Sequence, residues 1–251
     1  MNITVLSENI TGFNNRHSCQ AEWGLSLLIK FNKTTILFDT GSSDLFIKNA
    51  NNLKINLDDI DFVVLSHNHW DHTGGLRFLK LNKKRKLIIH PDIHSKVDKE
   101  TKMSINKNFD VIFSTNSLEF SKNVYYLGEI PRKNNFEKGT YKDDCIKDDS
   151  AIVIKTNKGA VVISGCSHSG ICNICDYAKH ITKRKIFAVI GGFHMFNNNT
   201  NVTSKTIQYF KKEKICKIFP MHCVDISIQE KLKQTFKSGV LKYSSGDSFV
   251  V

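Results

Sequence analysis

Apolar residues in this chain fall into short runs separated by polar turn-formers, a pattern of buried strands. Ile3-Thr4-Val5-Leu6 reads as a first strand. Leu25 to Ile29 and Thr34 to Phe38 flank Asn32-Lys33 and read as a hairpin. Phe62-Val63-Val64-Leu65 and Leu87-Ile88-Ile89-His90 read as further strands, the second stopped by Pro91. A second hairpin, Ala151 to Ile154 and Ala160 to Ser164, turns at Asn157-Lys158-Gly159. Ile186 to Ile190, Ile215 to Phe219 and Ser248-Phe249-Val250 complete the strands. Helical spacing marks 43–52, 171–180, 202–213 and 227–237, and Leu76-Arg77-Phe78-Leu79 reads as the start of another helix. Hairpin, strand, polar turn and helix thus recur in both halves. This predicts an α/β protein, an αββα sandwich of two mixed sheets flanked by helices, as a single domain over 1–251. Residues 95–148 are the weakest stretch, with strand candidates at Val111-Ile112-Phe113 and Val124 to Leu127. The irregular segment from Phe136 to Lys147 gives this region the reading of a lid or substrate loop.

The chemistry sits where strands end. After Leu65 comes Ser66-His67-Asn68-His69-Trp70-Asp71-His72-Thr73-Gly74-Gly75, with three of the ten histidines inside one hexapeptide. His67 and His69 are two apart and point the same way while the chain is extended. Asp71 and His72 follow the turn and face a second position. The spacing suits two metal ions about 3.5–4 Å apart, able to share one water or one substrate oxygen. A merely polar loop is the alternative, and it does not explain four potential metal ligands in six residues.

Other strand ends repeat the theme. His168 lies in the tight turn Gly165-Cys166-Ser167-His168-Ser169-Gly170, and His222 follows Phe219-Pro220-Met221. Both read as ligands, against a structural hydrogen-bonding role. His194, after Gly191-Gly192-Phe193, reads equally as ligand, substrate contact or proton shuttle. Asp39, before Thr40-Gly41, either caps a turn or orients a metal-bound imidazole. His90 and His94 read as surface or structural residues, and Cys172-x-x-Cys175 as core thiols.

His67-x-His69-x-Asp71-His72 resembles the signature of the metallo-β-lactamase fold superfamily. A narrower resemblance runs through nearly the whole chain: Glu22-Trp23-Gly24-Leu25-Ser26, Phe38-Asp39-Thr40-Gly41, Gly128 to Arg132, Asp148-Asp149, Gly165 to Gly170, Gly191 to His194 and His222-Cys223. It is similar to the branch of 7,8-dihydropterin-6-yl-methyl-4-(β-D-ribofuranosyl)aminobenzene-5′-phosphate synthase-like proteins. The resemblance implies the metallo-β-lactamase type of sandwich and a dinuclear site. It puts His67, His69 and His168 on one ion, with Asp149 as a candidate fourth ligand, and Asp71, His72 and His222 on the other. It sets Cys166 where the superfamily has a bridging Asp or a Cys ligand, beside the plain reading of a buried thiol. Asp71 also reads as a proton acceptor. The sequence departs from the branch at Trp23, where a His is usual, at Val224-Asp225 in place of Thr-Gly, and at Asn68 in place of Gly.

Composition narrows the picture modestly. With 40% hydrophobic and 24% charged residues, 251 residues allow a sizeable core. No apolar run reaches membrane-spanning length and no secretory leader stands out, so a cytoplasmic protein is expected. Seven cysteines, an odd number, read as thiols or ligands rather than as a disulfide framework. The net charge of +12 comes from scattered clusters such as Lys83-Lys84-Arg85-Lys86 and Lys183-Arg184-Lys185, read mainly as solvated surface. A small anionic substrate is the expected partner, nucleic acid is not, and homo-oligomerisation stays open. The leading reading is a hydrolase acting on a phosphate or other ester through metal-activated water. Zinc is the expected ion, and manganese or iron would accept the same donors. The alternatives are a pterin-type condensing transferase and a non-catalytic metal-bound sensor.

Overall fold

The computed structural model describes residues 1–12, 18–137, 139, 144–197 and 199–251. The chain divides into two compact units, Met1–Ser114 with Tyr243–Val251, and Thr115–Lys242.

The first unit holds a seven-stranded mixed sheet. Its strands are β1 (Asn2–Ser7), β2 (Ser26–Phe31), β3 (Thr34–Phe38), β4 (Phe62–Val64), β5 (Arg85–Ile89) and β6 (Phe109–Phe113), with β13 (Ser248–Val250) on the outer side of β1. The β2–β3 hairpin is antiparallel, and from β3 to β6 every pairing is parallel. Parallel strands need crossovers. These are α1 (Leu45–Asn52), the four-residue α2 (Trp70–Thr73), α3 (Pro91–Lys96) and α4 (Lys99–Asn108). Leu28, Leu37, Val63 and Leu87 on one sheet face pack with Phe46 and Ala50 of α1 and with Ile93 and Ile105 of α3 and α4.

One local outcome differs from the sequence reading and another extends it. Leu76–Phe78 makes only a single 3-10 turn, and Leu79 is already extended at φ −72°, ψ 113°. The preceding glycine pair gives a helix little drive, and the chain must turn back at once to enter β5. Pro91, read as a strand stop, also occupies the first position of α3, where its missing N–H costs nothing. His90 caps that helix by accepting from Asp92 N at 3.1 Å, a structural role.

The second unit holds a six-stranded sheet in the order β12-β11-β10-β9-β8-β7. Its strands are β7 (Leu118–Ser121), β8 (Val124–Tyr126), β9 (Ala151–Thr156), β10 (Gly159–Ser164), β11 (Ile186–Gly191) and β12 (Lys217–Pro220). β10, β11 and β12 run parallel, linked through α5 (Ile171–Thr182) and α6 (Thr200–Lys212); α7 (Ile226–Phe236) follows. The apolar buried residues of α5 are Ile171, Cys172, Ile174, Cys175 and Ala178, mainly on one helical face. They meet Val153, Val162 and Val189 in the core of this unit. Cys172 and Cys175 belong to that core, and burial raises both thiols above the usual range. The stretch 95–148 is more regular than its composition suggests, containing α4, β6, β7 and β8. Of its irregular segment, 138 and 140–143 lie outside the described residues, as do 13–17 of the early loop. Among the described residues, no helix is long and apolar enough to cross a membrane.

Candidate metal centre

In open sheets, ligands gather at the carboxyl ends of parallel strands. In the first unit those ends carry Asp39 after β3 and His67, His69, Asp71 and His72 after β4. The Asp39 carboxylate organises them. Its Oδ1 accepts from Ser66 N at 2.7 Å. Its Oδ2 accepts from Ser66 Oγ and lies against His72 Nδ1, both at 2.7 Å. Ser66 has one hydroxyl proton, and the carboxylate takes it. Ser66 Oγ, 2.9 Å from His67 Nδ1, is therefore the acceptor in that contact. Both imidazoles are thereby set as Nδ1–H tautomers with the lone pair on Nε2, the form a metal takes.

The rings cluster tightly. The His67 centroid lies 4.5 Å from that of His69 and 4.3 Å from that of His72. His67 and His72 are fully buried. The backbone of His72 is held as well, its carbonyl accepting from Thr40 N at 2.8 Å and Thr40 Oγ1 at 2.9 Å. Asp71 Oδ2 stands 3.9 Å from His72 Nε2 and receives the indole N–H of Trp23 at 2.9 Å.

The second unit repeats the arrangement on β10, β11 and β12. Cys166, Ser167 and His168 follow β10, His194 follows β11, and His222 with Cys223 follows β12. His168 and His194 pair as tilted rings 4.5 Å apart. The buried Asp149, just before β9, accepts from Ser169 N at 2.8 Å and Ser169 Oγ at 2.5 Å, both through Oδ2. Its Oδ1 is buried with no hydrogen-bond partner among the described residues. Burial pushes this carboxyl up to about 6, and the two Ser169 bonds offset only part of that rise. A buried, unsatisfied carboxylate oxygen suits a cation.

Cys166, His222 and Cys223 are all buried, with their ligand atoms within 4.8 Å of one another. Cys223 Sγ accepts from His194 N at 3.3 Å and donates to Cys166 O at 3.5 Å, so one thiol ties three turns. Gly192 makes that approach feasible: a Cβ there would lie 2.3 Å from Gly165 O and 2.6 Å from Cys223 Sγ. In the sequence Cys223 appears only as part of the His222-Cys223 motif, with no role of its own. Asp39, Ser167, His194 and His222 all take left-handed backbone with φ of 48–60°, a conformation that costs non-glycine residues energy and clusters at functional sites.

The segment after β8 is pinned beside His168. Arg132 Nη1 donates to Gly139 O at 2.7 Å and Nη2 to Ile146 O at 3.1 Å. Buried Glu137 accepts from Cys172 N at 2.8 Å and Asn173 N at 3.0 Å, capping the first turn of α5 in place of a local side chain. Burial raises the Glu137 carboxyl, against the pull of these N–H groups.

Imidazole, carboxylate and thiol donors of this kind fit zinc, and the imidazole–carboxylate subset also fits manganese or iron. The family model of the metallo-β-lactamase superfamily matches residues 24–170. A protein of Methanocaldococcus jannaschii named 7,8-dihydropterin-6-methyl-4-(β-D-ribofuranosyl)-aminobenzene-5′-phosphate synthase is 32% identical, the match covering 97% of this chain and 94% of that one. An uncharacterised protein of the same organism is also 32% identical, over 85% of this chain and 88% of its own. Among solved structures, Tm1679, described as a metal-dependent hydrolase of the β-lactamase superfamily, superimposes with a TM-score of 0.83 at 26% identity, covering 100% of this chain and 99% of that one. Zinc-bound PqqB of Methylobacterium extorquens shares the fold at a TM-score of 0.67 and 12% identity, each chain covered in full. With two mixed sheets flanked by helices, these matches and the histidine-rich loop after β4, the chain belongs to the metallo-β-lactamase superfamily.

Proposed function

We propose that this protein is a metal-dependent hydrolase with a dinuclear centre, acting on a small anionic ester, foremost a phosphate ester, in the cytoplasm. The ligands would be His67, His69, Asp71 and His72 from the first unit and His168, His222, Asp149 and Cys166 from the second. Family membership supports that assignment. The observation that carries the reading is the Asp39–Ser66 network, which fixes two buried imidazoles in the tautomer that ligates a metal. When bound, the ions lower the pKa of a water and draw charge from a substrate oxygen. Asp39 and Ser66 hold the imidazoles in place, so little reorganisation is needed when substrate arrives. Asp71 supplies a carboxylate that can take up the proton released by an attacking water. His194, half-buried with its ring tilted 4.5 Å from that of His168, would contact substrate or pass a proton.

A second reading, condensation rather than hydrolysis, draws support from the relative named as a synthase, which matches over 97% of this chain. Metal analysis of the purified protein against His69→Ala comes first. About two equivalents per chain in the wild type, lost in the variant, supports the dinuclear centre. Product analysis then separates the two chemistries: water-dependent release of an acid or phosphate, against a new bond to an aromatic amine. A wild type that takes up no zinc, manganese or iron on reconstitution would overturn both and leave the binding-protein reading.

A further inference from the structure

The chain has only two tryptophans, and both stand exposed at the loop that carries the first unit's donors. Trp23 is 49% exposed and Trp70 64%, although this residue type is highly buried on average. Trp70 opens α2 between His69 and Asp71. Trp23 comes from a segment 48 residues earlier, and its indole Nε1 donates to Asp71 Oδ2 at 2.9 Å.

That contact is built rather than casual. The adjoining Leu25 N donates to Asp71 O at 3.2 Å, so residues 23–25 grip both the side chain and the backbone of Asp71. A Cβ on Gly24 would lie 2.7 Å from the same Asp71 carbonyl, so the approach needs glycine between them. Glu22 anchors the segment from behind, accepting from Ser42 N at 3.0 Å and Ser43 Oγ at 2.5 Å. Ser42 Oγ donates to Trp23 O.

We infer that Trp23 is a positioning and specificity-determining residue of this centre: its N–H fixes the Asp71 carboxylate, and its half-exposed ring offers an apolar, π-rich wall to esters bearing an aryl group. The inference rests on the metallohydrolase reading. An indole N–H donates only, whereas a histidine at this position could also accept. Trp23 therefore orients Asp71 Oδ2 without offering an alternative proton acceptor, and proton transfer stays with Asp71. The large exposed ring face, in a residue whose polar tip is engaged, is the arrangement by which tryptophan binds planar groups.

The test uses the purified full chain and three variants. Trp23→Phe keeps a ring but loses the donor, Trp23→His keeps a donor but loses the indole face, and Trp70→Phe leaves Trp23 as the sole indole emitter. Zinc affinity, read by competition with a chromophoric chelator, should fall about 10- to 100-fold in Trp23→Phe, as for loss of other groups that orient metal ligands. Trp23→His should restore most of it. In Trp70→Phe, Trp23 emission should titrate with phenylphosphonate about 2- to 10-fold more tightly than with methylphosphonate, the range expected of an aromatic contact. Adding Trp23→His should erase that preference, measured by zinc-competition shifts. Zinc affinity unchanged in Trp23→Phe, or equal affinity of the wild type for the two phosphonates, would overturn the inference while leaving the metallohydrolase reading intact. A wild type that binds no metal overturns both.

Discussion

Replacing Asp39 by Asn tests the donor network at its root. Asparagine tolerates the left-handed backbone that Asp39 adopts at φ 55°, so the change isolates charge and proton position from backbone strain. The amide NH2 must take the place of one carboxylate oxygen. At the Oδ1 place it would face the Ser66 N–H, donor against donor, at a cost of about 1–3 kcal/mol for an unsatisfied buried group. At the Oδ2 place it donates to Ser66 Oγ and to His72 Nδ1. The Ser66 proton then turns toward His67 Nδ1, and both imidazoles carry their proton on Nε2, where a metal needs the lone pair. Every hydrogen bond survives in that arrangement, but charged bonds become neutral ones, a loss of about 1–2 kcal/mol. At about 2–4 °C per kcal/mol for a chain of this size, the metal-free variant should melt about 2–8 °C lower. Metal affinity should fall by at least about 10- to 100-fold. Thermal unfolding of the metal-free protein and chelator competition measure the two effects separately. An Asp39→Asn protein that binds zinc like the wild type would refute the tautomer argument, whatever its melting temperature.

Gly192→Ala should lower stability by about 1–3 kcal/mol through overpacking, since the new Cβ meets Gly165 O at 2.3 Å and Cys223 Sγ at 2.6 Å; denaturant unfolding measures it, and an unchanged midpoint would mean the three turns shift freely. Glu137 has its carboxyl raised by burial, so the folded state holds this proton more tightly than the unfolded chain does. Its contribution favours folding below the ordinary glutamate range and is lost as pH rises through the raised value, so Glu137→Gln should gain stability relative to wild type as pH increases from about 4. A stability difference between the two that does not change with pH would contradict this. Saturating zinc at 100 times its dissociation constant should stabilise the protein by about 2.7 kcal/mol, reversed by chelator; a melting temperature indifferent to both would argue against a folded-state metal site.

What the sequence disclosed follows from which forces are local. Runs such as Ala160 to Ser164 are apolar because both strand faces are buried, and they read as strands without further information. The histidine loop was legible because its chemistry is concentrated in six residues. α4 was not, because only Thr101 and Ile105 of its ten residues are buried and the rest is polar apart from the exposed Met103. The partners of the site were harder still. Nothing in residues 18–25 announces that Trp23 will reach Asp71, and nothing near Cys223 announces that its thiol will bind the turns of His194 and Cys166. Such pairings are set by sheet order, which emerges only when all strands are placed.

The pairing of β13 with β1 bears on how the protein is made. Asn2, Ile3 and Thr4 lie opposite Val250, Phe249 and Ser248, so the first sheet borrows its outer strand from a segment translated after the whole second sheet. Until that segment leaves the ribosome, β1 presents a bare row of N–H and C=O groups to any neighbouring nascent chain. Chains released before residue 243 should therefore yield more cross-paired, insoluble product than released chains that include 243–251. The hazard lies in the order of synthesis, not in the stability of the finished fold.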